Sequence, residues 1–246
     1  GPAAAKAIAV RVADTDPASA ASRSDRPPSA ASFAGSDRRV ASHRLPGREP
    51  VLRELEAACQ ARECRAVVLH GPAGCGTSTL GAALANRLRA RGIVEHVVRV
   101  DGGPSLSADG LLQQLLAALG PEHAPELAGA LPHPVGLRVK ARALLEDATR
   151  APTAVIVDGA ERLLVPGGDR AAIDAPSGSA PAMVSQRWVC ADDALAHMLA
   201  SWITSPHPGL ILIFTSHVDF DPLAGGAAVA AAGPAASGAD GPAAST

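Results

Sequence analysis

Residues 67–80 read VVLHGPAGCGTSTL, and the fold turns on how they are read. The run RAVVLH, residues 65–70, is short and apolar and stops at Gly71-Pro72. Branched apolar residues bounded by turn residues predict a buried strand. From Thr77 the chain continues as TSTLGAALANRLRARG, with apolar residues at helical spacing up to Gly92. A helix is therefore expected to begin at the glycines and to end at Gly92. A strand, a glycine-rich turn and a helix in direct succession form one unit of a layered α/β architecture.

The same alternation extends in both directions. Upstream, PVLRELEAACQARE carries Val51, Leu52, Leu55, Ala58 and Cys59 at helical spacing. Downstream, VEHVVRV predicts a strand and SADGLLQQLLAALGP a helix, with Ser107 as N-cap and Gly120-Pro121 as its stop. Then come a helix in VGLRVKARALLEDATR, a strand in TAVIVD, a helix in ADDALAHMLASWITS and a last strand in GLILIFTS. The strands are nearly continuous Val/Ile/Leu runs without polar alternation. Strands of that kind separated by helices predict a parallel sheet covered on both faces, a three-layer α/β domain.

The domain is expected over residues 44–223, with a Gly/Pro/Ser-rich mobile insertion at 166–190. Residues 1–43 read as a disordered leader, Ser/Ala/Pro-rich from 14 to 42, and Gly1-Pro2 has the form of a protease-cleavage scar. The apolar AIAVRVA within the leader is expected at most as a stray strand. Residues 224–246 read as a disordered low-complexity tail. The 246 residues carry a net charge of −2, which gives no overall basic pull toward nucleic acid or anionic lipid. No apolar run approaches the roughly 18 residues of a membrane span, and the first residues lack a signal-peptide layout. Four cysteines, Cys59, Cys64, Cys75 and Cys190, show no disulfide framework. Cys59 and Cys64 have no second ligand pair for zinc, so buried reduced thiols are expected, in keeping with a cytoplasmic location.

The glycine turn matches most of the phosphate-binding pattern G-x-x-x-x-G-K-[ST]. Gly71, Gly76 and Ser78 fall on it, and Thr77 stands in place of the lysine. Glycines let backbone N–H groups turn inward around a phosphate. The following helix adds its unpaired N–H groups and the positive end of its dipole. A lysine at 77 would add a point charge, which a threonine hydroxyl does not supply. TAVIVDGAERLL ends a strand in Asp158, where a carboxylate can serve a magnesium shell. The residue after it is Gly159, and Glu161 is expected to point elsewhere. GLILIFTSH ends a strand in Thr215 and Ser216, hydroxyls that can lie near a γ-phosphate. LPGREPVLREL puts Gly47-Arg48-Glu49 before the first helix, where it can shape an adenine pocket.

In this order and spacing, LPGRE, GPAGCGTSTL, VDGGPSLSADGLLQQLLAALG, AVIVDGAERLL and GLILIFTSH resemble the P-loop ATPases of the STAND and AAA+ groups. From residue 45 to about 224 the chain resembles a STAND nucleotide-binding module of the NB-ARC-like sort found in actinobacterial regulators. The resemblance implies a P-loop NTPase fold with GLILIFTS between RAVVLH and TAVIVD. It implies a cradle of Gly71, Pro72, Ala73, Gly74, Cys75, Gly76, Thr77, Ser78 and Thr79, joined by Arg48, Thr215 and Ser216, for ATP or ADP. Magnesium would be served by Ser78 and Asp158. Three positions depart from the family: Thr77 for lysine, Gly159 for a second acidic residue, and His217 where an arginine is common. They imply weakened binding and little or no hydrolysis.

The AAA+ subunits of origin-recognition complexes share the same layout and form a second resemblance. It would imply a nuclear location and DNA contact only through a larger assembly. Three functions follow as expectations. The first is a nucleotide-dependent switch or assembly domain whose partners are other domains or subunits. The second is an interaction module that no longer binds nucleotide. The third, a phosphotransferase, lacks any visible base or charge clamp.

Overall fold

The structure is a computed structural model that describes residues 6–12, 45, 47–62, 64–166, 188–207, 209–220 and 222. The expected disordered stretches 14–42 and 224–246 lie outside those residues. Five strands form one sheet: β1 (Lys6–Arg11), β2 (Cys64–His70), β3 (His96–Asp101), β4 (Thr153–Asp158) and β7 (Leu210–Ser216). Their order is β1-β2-β7-β4-β3, and every pairing is parallel. The last strand thus runs between β2 and β4, as the resemblance implies. Parallel strands need crossovers, and α1 (Glu49–Gln60), α2 (Thr77–Ala90), α3 (Ala108–Leu119), α4 (Pro125–Ala130), α5 (Leu137–Arg150) and α6 (Asp193–Thr204) supply them.

The apolar strands split their side chains between two cores. Val67 and Leu69, Ala154 and Ile156, and Ile211 and Ile213 face one side, against Leu52 and Leu55 of α1 and Leu80, Leu84 and Leu88 of α2. Val68, Val155, Val157, Leu212 and Phe214 face the other, against α3, α5 and α6. Burial on both faces is why these strands read as unbroken apolar runs. Trp202 ties α6 to α5 by donating its indole N–H to the Ala141 carbonyl at 3.1 Å. Ser107 caps α3, its hydroxyl accepting from the Gly110 N–H at 3.1 Å.

The structure departs from the sequence reading in three places. Residues 6–11, expected as a stray strand outside the compact part, form the outermost strand of the sheet. They pair with β2, and the Val12 N–H donates to the His70 carbonyl at 2.7 Å. Val12 is 1% exposed, so this strand completes the core. The second departure is α4, which has too few apolar residues to show a period. The buried Asp147 carboxylate holds it from outside, accepting from the Glu126 and Leu127 N–H groups at 3.1 and 2.9 Å. Third, the two ends of the expected mobile insertion are ordered. β5 (Leu164–Pro166) pairs antiparallel with β6 (Trp188–Cys190), and residues 167–187 lie outside the described residues.

Candidate functional site

The carboxyl ends of β2, β4 and β7 meet at one edge of the sheet, where ligands bind in open α/β folds. The loop leaving β2 is shaped by its glycines. Gly76 has φ +90°, a conformation that L side chains rarely adopt, and Gly74 has φ +87°. Gly71 is needed for space, because a Cβ there would lie 2.4 Å from the Val12 carbonyl oxygen. Two bonds set the loop: the Gly71 N–H donates to the Ser216 carbonyl at 3.2 Å and the Cys75 N–H to the Pro72 carbonyl at 3.1 Å. Among the described residues no side chain caps the start of helix α2. Leu80 donates to the Gly76 carbonyl at 2.9 Å, so the N–H groups of Thr77, Ser78 and Thr79 have no acceptor within the helix. Such a terminus attracts an anion.

Asp158 is the hub of the site. It accepts hydrogen bonds from the Thr215 hydroxyl and the Arg99 guanidinium, and the Ser78 hydroxyl faces it as a third donor. Burial pushes its carboxyl up, but those three donors and the Arg99 charge outweigh burial and hold it below its ordinary value. Thr215, 1% exposed, uses its hydroxyl in both senses, donating to Asp158 and accepting from the Gly159 N–H at 3.2 Å. The parallel register sets Asp158 directly beside Thr215 and beside Asp101.

Of the expected residues, Ser78, Asp158 and Thr215 therefore come together. Arg48 reaches the loop as well, its guanidinium donating to the Cys75 carbonyl at 3.2 Å. Pro72, Ala73, Gly74, Ser78 and Thr79 are exposed along the loop, whereas Thr77 is only 8% exposed. Ser216 does not join them. Strand alternation turns it to the opposite face from Thr215, and its hydroxyl accepts from the Val218 N–H at 3.1 Å. Glu161 engages His217 at the end of β7, although its carboxylate also lies 3.6 Å from where a Cβ on Gly159 would stand. Gly159, at φ +73°, leads into a 3-10 turn, Ala160–Leu163, which carries Glu161 to His217. There its carboxylate accepts from the His217 N–H at 3.3 Å and lies 3.5 Å from the ring Nδ1.

Arg99 is the residue that sequence reasoning missed. It sits on β3, on the face that carries Ile156 and Asp158 in the neighbouring strand. A lone arginine inside the apolar run VVRV is the signal that could have found it. Magnesium was expected at Ser78 and Asp158. A divalent cation needs open carboxylate oxygens. Both oxygens of Asp158 already accept hydrogen bonds, one of them from a guanidinium. With Arg99 seated there, a magnesium ion would have to compete with the guanidinium for this carboxylate. Among the described residues no group of three His, Cys, Asp or Glu is placed to hold a metal. Cys59 and Cys64 are buried thiols, and the Cys64 thiol donates to the Ala66 carbonyl at 3.1 Å. No helix among those residues is long and apolar enough to cross a membrane.

A glycine-shaped loop between β2 and an uncapped α2, with Asp158 ending a strand two places away in the sheet, defines a P-loop NTPase type of domain. The chain belongs to the AAA ATPase domain family, whose model matches residues 44–185, more than half of its length. The match includes the loop and Asp158; α6 and β7 with Thr215 follow it. No curated protein matches the chain. Among solved structures it is similar to the Walker-type ATPase PABY2304 of Pyrococcus abyssi, at 17% identity and a TM-score of 0.44 over 69% of this chain. It is also similar to the Orc1 protein of Aeropyrum pernix solved in complex with DNA, at 16% identity and a TM-score of 0.38 over 70% of this chain. The chain spans 45% and 39% of the lengths of those two proteins.

Proposed function

We propose that this domain binds ATP or ADP at residues 71–79 and acts by nucleotide occupancy, as a switch or assembly domain of the STAND/AAA+ type, with little hydrolysis of its own. One observation carries the reading: the glycine conformations of the loop open onto an uncapped helix terminus beside Ser78, Asp158 and Thr215. The backbone N–H groups of Thr77, Ser78 and Thr79 meet phosphate oxygens, and the dipole of α2 favours their charge. Arg48 holds the loop from outside, through the Cys75 carbonyl, and fixes its shape.

Affinity is modest because Thr77 brings no charge. The missing charge-assisted contact costs roughly 1.5–3 kcal/mol. Turnover is low because phosphoryl transfer rests on charge neutralisation and on a positioned nucleophile. Gly159 supplies no carboxylate beside Asp158, and Glu161 is engaged by His217. A domain that binds without turning over acts through its contacts with neighbouring domains or subunits.

Isothermal titration of ATP and of ADP into the purified chain tests the reading. Saturable binding of both, at micromolar to submillimolar affinity, is expected. A flat trace at millimolar nucleotide sinks it and leaves an interaction module that no longer binds nucleotide.

A further inference from the structure

Arg99 engages the Asp158 carboxylate, the group that would serve a metal ion. Its guanidinium donates to one carboxylate oxygen, while Thr215 holds the other. Two features make this a built arrangement. Arg99 lies on the sheet face covered by α2, the helix whose N-terminus forms the loop, and its register partner is Ile156, two residues before Asp158. The other carboxylate on the same face of β3, Asp101, pairs with Arg162 at 3.1 Å. Each aspartate at the ends of β3 and β4 thus has its own arginine.

We propose that Arg99 takes over the role of the divalent cation, so that nucleoside phosphate binds in this site without metal and meets the Arg99 guanidinium directly. The inference rests on the reading of residues 71–79 as a nucleotide cradle. A guanidinium has five N–H donors in a planar fork that matches phosphate oxygens, and a carboxylate oxygen takes only part of that set. The Arg99 side chain is 60% exposed, so the rest of its fork can reach a ligand at the loop while the bond to Asp158 holds it in place. Charge points the same way. The site has no lysine at 77, and Arg99 supplies a positive charge from β3 instead. A magnesium ion would have to displace a guanidinium hydrogen-bonded to its own ligand. The α2 terminus and Arg99 together offer a cationic fork to a phosphate that carries no metal.

The test is calorimetric titration of ADP into the whole chain, once in EDTA and once in excess magnesium chloride, for the parent, Arg99→Met and Arg99→Lys. The parent is expected to bind equally in both buffers. Arg99→Met is expected to lose about tenfold in EDTA and to recover when magnesium is added, whereas Arg99→Lys retains most of the metal-free affinity. Electron paramagnetic resonance with manganese and ADP supplies a readout independent of affinity. The ion should be immobilised by Arg99→Met and not by the parent. Arg99 is exposed enough that matching melting temperatures are expected, and Arg99→Lys tests the charge with little change of bulk. A parent that binds ADP only with magnesium overturns the role of Arg99 and leaves the cradle intact. So does an Arg99→Met variant with unchanged affinity in EDTA. Absence of binding in either buffer overturns the cradle reading, and this inference falls with it.

Discussion

Substituting Thr77 by lysine tests whether the loop is a working cradle that lacks one side chain. Thr77 is the first residue of α2, directly after Gly76 at φ +90°, so the backbone that would present a lysine to a phosphate is already in place. A restored charge-assisted hydrogen bond contributes roughly 1.5–3 kcal/mol. Against this, ordering a lysine side chain costs up to about 1.5–2 kcal/mol, and Thr77 is only 8% exposed, so the new side chain must thread out of a covered position. The gain in ATP affinity should therefore fall nearer tenfold than a hundredfold. Isothermal titration of the parent and Thr77→Lys in the same buffer measures it. The variant should still not hydrolyse ATP quickly, because Gly159 remains. If Thr77→Lys melts with the parent yet binds ATP no better, the loop does not cradle phosphate and the nucleotide-switch reading fails.

Steady-state ATP hydrolysis by the parent should stay near background; turnover on the order of one per second, abolished by Asp158→Ala, would show that a carboxylate such as Glu161 reaches the site after all. Asp147→Ala leaves the Glu126 and Leu127 N–H groups without their acceptor. It should cost about 2–4 kcal/mol, seen as a melting temperature lower by about 5–15 °C, and a shift within error would mean that α4 does not depend on this contact. Gly71→Ala pushes a methyl against the Val12 carbonyl, so amide exchange in residues 7–12 should speed up while β4 stays protected; uniform protection would contradict the close approach. Burial, together with the neighbouring His123 ring, pushes the His96 imidazole below its ordinary 6.5. Among the described residues its buried Nε2 has no hydrogen-bond partner, and Glu95 lies 3.8 Å away. The unfolded chain then binds the proton more readily than the native one, so this contribution to stability is present above about pH 6.5 and is lost as pH falls below it. Denaturant titrations should show stability falling on acidification through that window, and His96→Gln should flatten the slope; an unchanged slope would assign the titration elsewhere.

The sequence by itself determined the layered α/β class and the loop. Runs such as TAVIVD and GLILIFTS carry their burial on both faces in their own composition, and the glycines at 74 and 76 announce a backbone that other residues rarely adopt. Local signals of that kind survive in any context, which is why helix and strand positions and the loop residues were legible before the structure. The convergence of Ser78, Asp158 and Thr215 followed from resemblance, and the sheet order β2-β7-β4 bears it out. Tertiary structure decided the rest. Residues 6–11 hold too little apolar surface to stand alone and become a strand only against the edge of β2, beyond a long intervening stretch of chain. Helix α4 exists because a carboxylate 20 residues later in the chain reaches its N–H groups. Ser216 looked equivalent to Thr215 until the pleat turned them to opposite faces. Arg99 was one charge in an apolar strand, and only the register of β3 on β4 brings it to Asp158. These are contacts between segments, set by pairing across the sheet, and no pattern within one segment encodes which neighbour it will meet.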